Sequence, residues 1–203
     1  MAKKRNWTQI GLLLLFLVGF PVVSYFYLKS GYDYRVEAMQ ELQEYAPLPA
    51  APATNLWGDS LKTGRDIVLL HFIDLQNNAQ RDLMGKYMGE IHEQFDGIER
   101  VQFWAGFQPV DSMQIRAYLD NYSLRDPEQY HVLQRSDFTD DFAFLAADVT
   151  SKPIVMLSDT TGTIRNFFNL ENGKELVRLV EHITYLMPPE KRKRATFKPE
   201  QDL

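Results

Sequence analysis

The chain has 203 residues, 45% hydrophobic and 24% charged, with a formal net charge of −5, which makes room for about one globular domain plus an appendage. An aromatic share of 13% excludes a disordered chain, and the acidic balance argues against a nucleic-acid partner, which calls for a basic face. There is no cysteine, so disulfides, thiolate metal sites, cysteine nucleophiles, dithiol redox chemistry and a lipidated cysteine anchor are all excluded.

Near the amino end, Ile10 to Leu28 (IGLLLLFLVGFPVVSYFYL) is nineteen residues without a charge. As a helix it spans about 28 Å, close to the hydrocarbon thickness of a bilayer. Pro21 should kink it, and Trp7, Tyr25 and Tyr27 suit the interfacial aromatic belt. Lys3, Lys4 and Arg5 precede the run, so the amino end is expected in the cytoplasm and the remainder exported. A cleaved signal peptide is the competing reading. Its apolar region would be shorter and end at small residues, so a retained anchor is preferred. The expected division is a basic tail over 1–8, a transmembrane helix over 9–29, a helical stalk and linker over 30–53, a globular domain over 54–188 and a basic tail over 189–203. The 22 Lys and Arg less the three before the anchor leave 19 against 27 Asp and Glu, an acidic exported part. The predicted location is the inner (cytoplasmic) membrane, crossed once, with the domain in the periplasm or another extracytoplasmic space.

Tyr32–Tyr45 reads as a helix, with Val36, Met39, Leu42 and Tyr45 at helical spacing, and APLPAAPAT after it as an extended spacer. Asp66–Ile73 (DIVLLHFI) has the continuous apolar character of a buried strand. Gln80–Phe95 carries a helical stripe of Leu83, Met84, Tyr87, Met88, Ile91 and Phe95. Arg100–Phe107 predicts a second strand, and Ser112–Tyr122 a second helix with Ser112 as its cap. A short extended piece surrounds His131–Leu133, and a helical turn follows Asp137. Lys152–Leu157 and Thr163–Phe168 flank Ser-Asp-Thr-Thr-Gly, a hairpin signature. Glu171–Leu186 closes the domain as an amphipathic helix, stopped by Pro188 and Pro189. The order β-α-β-α-β-β-α places parallel pairing first and an antiparallel hairpin last. The expected class is therefore α/β, a thioredoxin-like domain with a mixed central sheet flanked by helices, preceded by one transmembrane helix.

Three stretches resemble the SCO/SenC group, membrane-anchored thioredoxin-fold proteins linked to copper delivery for cytochrome oxidase. The family's loop after the first core strand, F-x-T-x-C-P-x-x-C-P-x-M, is matched by HFIDLQNNAQRDLMGKYMGEIHEQF from His71 to Phe95. Aligning Leu83-Met84 after the family's proline puts Asn77 and Arg81 at the two cysteine positions and Asp82 at the proline. QPVDSMQIRAYLDNYSLRDPEQYHVL (Gln108–Leu133) is similar to the family's segment ending in W-H-F-L, and SKPIVMLSDTTGTIRNFFN resembles its H-S-T-F…L-I-D…G segment. In that register Ser151 stands where the family has its copper-binding histidine, and Pro153 follows two residues later, where thioredoxin-like folds often hold a cis proline. The resemblance covers roughly residues 60–187.

Copper(I) transfer depends on soft thiolates completed by an imidazole. Asn77 offers a hard amide, Ser151 a hydroxyl, and Arg81 a fixed positive charge that repels cations. The register thus implies a degenerate site at Asn77, Arg81, Ser151 and Pro153, serving as an interaction surface, with no catalytic residue, metal or cofactor expected. Other candidates are weighed beside it. His71, within an apolar strand, and His131 read as packing residues, and His92 and His182 are scattered. Met84 and Met88 read as a core stripe, with a thioether copper site as the rival. Asp74, Arg81 and Asp82 read as solvated loop charges rather than an acid–base pair. Lys191-Arg192-Lys193-Arg194 is either a solvated tail or a contact for an acidic partner.

The favoured reading is a non-enzymatic, membrane-tethered thioredoxin-like protein, an accessory or assembly subunit of an envelope or respiratory membrane complex. Its alternative is a copper chaperone for oxidase assembly using ligands such as His71 and Met84 in place of thiolates, and a third is an enzyme with cysteine-free catalysis.

Overall fold

A computed structural model describes residues 7–48, 57–58, 66–108, 110–134 and 152–187. Ser151, the expected turn after Asp137 and the Lys191–Arg194 cluster lie outside the described residues. The chain divides into two compact units, residues 1–44 and 45–203.

The first unit is helical: α1 (Trp7–Leu14), a π-helical segment (Leu15–Gly19) and α2 (Phe20–Gln40). Proline lacks an N–H and its ring crowds the carbonyl four residues back. The helix accommodates Pro21 by widening just before it, and the Phe20 N–H bonds the Leu15 carbonyl, five residues back. Gly11–Gln40 is long and apolar enough to cross a membrane. The helix expected from Tyr32 is the continuation of α2, which ends at Gln40 rather than Tyr45. The sole local breaker, Gly31, penalises a helix by only about 1 kcal/mol.

The second unit is built on a six-stranded sheet of β1 (Ala46–Pro47), β2 (Ile67–Ile73), β3 (Val101–Phe107), β4 (Tyr130–Gln134), β5 (Ile154–Ser158) and β6 (Thr163–Asn169), in the order β1-β6-β5-β2-β3-β4. Strands β2, β3 and β4 run parallel, Ile67 opposite Val101 and Phe103 opposite Tyr130. β5 joins β2 antiparallel, with Leu70 opposite Met156, and β6 and β1 follow antiparallel. Among the described residues of this unit the helices are α3 (Asn78–Phe95), α4 (Ser112–Asn121) and α5 (Gly173–Leu186).

All seven residues of β2 are buried, as a strand covered on both faces requires. Side-chain alternation sorts them. Ile67, Leu69 and Ile73 join Met84, Met88, Ile91 and Phe95 of α3, Ile115 and Leu119 of α4, and Leu179 and Ile183 of α5. Val68, Leu70 and Phe72 join Trp104, Leu133, Met156 and Ile164 in a second cluster on the opposite face. Both parallel crossovers, β2-α3-β3 and β3-α4-β4, step the same way along the sheet, so right-handed connections put α3 and α4 on one face.

Several local details depart from expectation. Ala46 and Pro47, within the stretch read as a spacer, pair with β6, flanked by bonds from the Tyr45 N–H to Ile164 (3.0 Å) and from the Leu48 N–H to Gly162 (2.7 Å). The short piece at His131 is a full edge strand. The cap of α4 is Asp111, whose carboxylate accepts the Met113 N–H at 3.1 Å, rather than Ser112. A carboxylate one residue earlier outcompetes the hydroxyl because its charge also opposes the helix dipole. The hairpin turn is as expected: Asp159 accepts the N–H groups of Thr161 (2.8 Å) and Thr163 (3.1 Å), and Gly162 takes the positive φ of +78°. Burial pushes the Asp159 carboxyl up, but these bonds and neighbouring Arg165 outweigh it and hold the group below the usual carboxylate range.

Candidate functional site

The loop between β2 and α3 is shaped by two short polar side chains. Asp74 accepts the Gln76 N–H at 2.9 Å, and its carbonyl accepts the Asn77 N–H at 3.1 Å, turning the chain after the strand. Asn77 then caps α3, its side-chain oxygen accepting the Gln80 N–H at 3.3 Å. The Arg81 N–H bonds the Asn77 carbonyl at 2.9 Å, so the two expected site residues lie one helical turn apart at the head of α3.

The Lys152–Pro153 segment meets this head through Gln80. That side chain is only 3% exposed, and its Nε2 donates to the Lys152 carbonyl at 3.1 Å. Its Oε1 is buried and accepts no hydrogen bond. Pro153 is buried, and its carbonyl accepts the Leu170 N–H at 2.9 Å. No peptide bond among the described residues is cis, that of Pro153 included. Asn77, Arg81 and Pro153 therefore belong to one neighbourhood, linked by a residue that sequence reasoning passed over.

On the outer side of α3, Asp82 Oδ1 accepts from Arg81 Nε at 2.8 Å and from the Tyr122 hydroxyl at 2.9 Å. These bonds, Arg81's first, hold the Asp82 carboxyl below its ordinary value, and Asp82 raises the guanidinium in return. Burial, then the bond to Asp82, pushes the Tyr122 phenol up. Arg81 and Asp82 are thus a surface ion pair closed by a phenol rather than independent loop charges. Tyr122 lies directly on α3: a Cβ at Gly85 would stand 2.4 Å from its ring, and one at Gly89 2.8 Å from its carbonyl oxygen. Beside it Tyr118 is buried, with a hydroxyl that has no hydrogen-bond partner.

The histidines are dispersed. His71, fully buried, bonds the Tyr130 hydroxyl at 2.8 Å, and burial lowers its pKa to about 4. His92 pairs with Asp126 at 3.1 Å, His131 with Gln102 at 2.7 Å, and the buried His182 lies edge-on to Phe168. Met84 and Met88 are fully buried in the main core. Among the described residues no three His, Cys, Asp or Glu converge as a metal-ligand set. An amide and an engaged guanidinium do not fit copper(I), which requires soft donors. What the head of α3 offers chemically is directional hydrogen bonding beside a helix amino terminus.

Gln80, Tyr118, Tyr122 and the Gly85–Gly89 pair were missed in the sequence. The usable signals were Gln80 at the position four before Met84, hence on the buried stripe, and two glycines four apart in a helix, where a neighbour must approach closely.

No family model and no curated protein matches the chain. Solved structures do. An SCO1/SenC family lipoprotein from Bacillus anthracis aligns at 14% identity with a TM-score of 0.55, covering 70% of this chain and 95% of that one. A thiol:disulfide interchange protein from a Bacteroides species aligns at 16% identity and TM-score 0.53, over 78% and 99% of the two chains. The thioredoxin domain of a thiol-disulfide oxidoreductase from Bacteroides vulgatus aligns at 16% and 0.53, over 72% and 99%. At such identities the likeness is one of fold. Mixed sheet, helix placement and structural similarity together establish a thioredoxin-like fold in a chain that has no cysteine.

Proposed function

We propose that this is a membrane-tethered, non-catalytic thioredoxin-like protein, an accessory or assembly subunit of an envelope or cytochrome oxidase-related respiratory complex. In this reading residues 9–29 anchor the chain in the inner membrane, and the domain, expected over 54–188 but with its sheet already begun at Ala46, stands in the periplasm or an equivalent space. The head of α3 with Lys152–Pro153 serves as a contact surface. The observation that carries it is the head of α3 itself. Asn77 is committed to capping and Arg81 to Asp82, in a chain with no sulfur able to cycle between thiol and disulfide. The fold shared with the SCO1/SenC lipoprotein supports a degenerate relative of that group. Anchoring raises the effective concentration of the domain near other membrane proteins, which suits a docking module and adds nothing to chemistry in solution.

The test is purification of the intact protein in mild detergent, followed by identification of what accompanies it. A stoichiometric membrane complex, weakened by Arg81→Glu without change in circular dichroism, is the expected result. A clean monomer from native membranes overturns the subunit reading.

A further inference from the structure

A cavity of about 290 Å³ opens where α4 ends and β4 begins. Asp126 in its wall bonds His92 in the last turn of α3, about 16 Å of helix axis beyond Arg81, so the cavity is separate from the head of that helix. Its floor is apolar: Leu119 and Leu124, 1% and 0% exposed, belong to the main core. Two flat rings also line it, Trp57 from the stretch before β2 and Tyr130 at the start of β4.

The charged groups lining the cavity are Arg116, Arg125 and Asp126. Asp126 is engaged on both oxygens: one accepts the N–H groups of Glu128 (2.8 Å) and Gln129 (3.3 Å), and the other pairs with His92 at 3.1 Å. The Tyr130 hydroxyl is likewise held, by His71 at 2.8 Å. Neither is left to meet a guanidinium. Arg125 reaches Asp120 at 3.4 Å, with the two side chains 68% and 54% exposed, a pair of little strength. Arg116 is exposed and makes no hydrogen bond or ion pair among the described residues. The chain beyond the apolar helix is acidic on balance, so a cavity whose uncommitted charge is cationic stands out from its surroundings as a place for an anion.

We propose that this cavity binds a free, single-ring aromatic carboxylate, its ring against Trp57, Tyr130 and the leucine floor and its acid group on the Arg116 guanidinium, with Arg125 beside it. Aromatic faces favour a stacked or edge-on ring, and a planar guanidinium donates to both oxygens of a carboxylate at once. A volume of about 290 Å³ stands at the small end of ligand cavities, which suits one ring with its acid group and not a nucleotide. The inference goes beyond the subunit reading and does not rest on it, because a chain with no companion complex binds the acid all the same.

The experiment uses the full-length protein in mild detergent, ¹⁵N-labelled at its tryptophans, Trp7, Trp57 and Trp104, with the Trp57 indole resonance assigned by its loss in Trp57→Phe. It is titrated at neutral pH and constant ionic strength with sodium benzoate, with benzamide, which keeps the ring without the charge, and with sodium acetate, which keeps the charge without the ring. Benzoate should shift the Trp57 indole N–H and saturate below about 10 mM, with benzamide and acetate at least about tenfold weaker and Trp7 and Trp104 unmoved. Absence of saturation, an equal response to benzamide or to acetate, or a parallel shift of Trp7, the mark of partition into the micelle, overturns the proposal. Gly-Gly-Phe binding tighter than benzoate makes the ligand a chain end and overturns the free acid. Arg116→Gln, a change at an exposed position, should weaken benzoate about tenfold, the value of one hydrogen bond to a charged group, while leaving circular dichroism and the response to benzamide unchanged. Undiminished benzoate binding by that variant removes Arg116 from the site and overturns the proposal.

Discussion

Gly85 offers a sharp test of how α3 and the end of α4 fit together. In a free helix, alanine in place of glycine stabilises by about 1 kcal/mol. Here the added Cβ would stand 2.4 Å from two carbons of the Tyr122 ring and 2.6 Å from a third, and the ring is held by its bond to Asp82. Overpacking of this kind is penalised by about 1–3 kcal/mol, and displacement of the ring forfeits part of a hydrogen bond, up to about 1 kcal/mol. The net expectation for Gly85→Ala is destabilisation by about 1–2 kcal/mol, read as a lowered urea midpoint by tryptophan fluorescence of the full chain in mild detergent. The decisive arm is the same substitution in a Tyr122→Ala background. With the ring gone only helix propensity remains, and Gly85→Ala should stabilise by about 1 kcal/mol. If the effect keeps one sign in both backgrounds, the contact does not govern Gly85 and the packing argument fails.

Further expectations follow from the same geometry. Asn77→Ala removes the cap of α3 and should destabilise by about 1 kcal/mol, while Asn77→Asp should restore the loss; unfolding midpoints that fail to separate the two would remove the capping role. His71 has a folded pKa of about 4 against an ordinary 6.5, so in this window the unfolded chain takes a proton that the folded one refuses. Stability should therefore fall as pH drops from 6.5 to 4, by about 3 kcal/mol from this group, and level off below. His71→Gln, which keeps an acceptor for Tyr130, should flatten that slope, and parallel slopes would refute the assignment. Asn77→Cys with Arg81→Cys places two thiols one helical turn apart, within reach of a disulfide. Mild oxidation should close the bridge, and thiols that stay free would show the register taken from the SCO/SenC resemblance to be wrong.

The core of the fold was legible because its signals are periodic. The run Ile67–Ile73, apolar but for His71 and too short for a helix, suits a strand buried on both faces, and the Met84–Met88–Phe95 stripe has a single helical face. The turn at Gly162 carried its own chemistry. What escaped was either too short to show a period or depended on a partner distant in sequence. Ala46–Pro47 is a strand because β6 offers its edge, not because two residues prefer extension. Gln80 looks like a surface residue until the Lys152 carbonyl, 72 residues away, accepts its amide. Arg81 and Asp82 read as independent charges because Tyr122, their third member, comes from the end of another helix. Ser123 sits at φ +56° just past α4, a left-handed position that glycine usually announces.

The pairing of Ala46–Pro47 with β6 bears on how the molecule should be cut. An open strand margin is a template for joining other chains, and here it is shielded by two residues ending in a proline that cannot extend the ladder. A soluble fragment begun at Thr54 discards that guard and invites self-association along Thr163–Asn169. One begun at Glu44 retains it, so the handling of these few residues decides whether a truncated domain behaves as a single species.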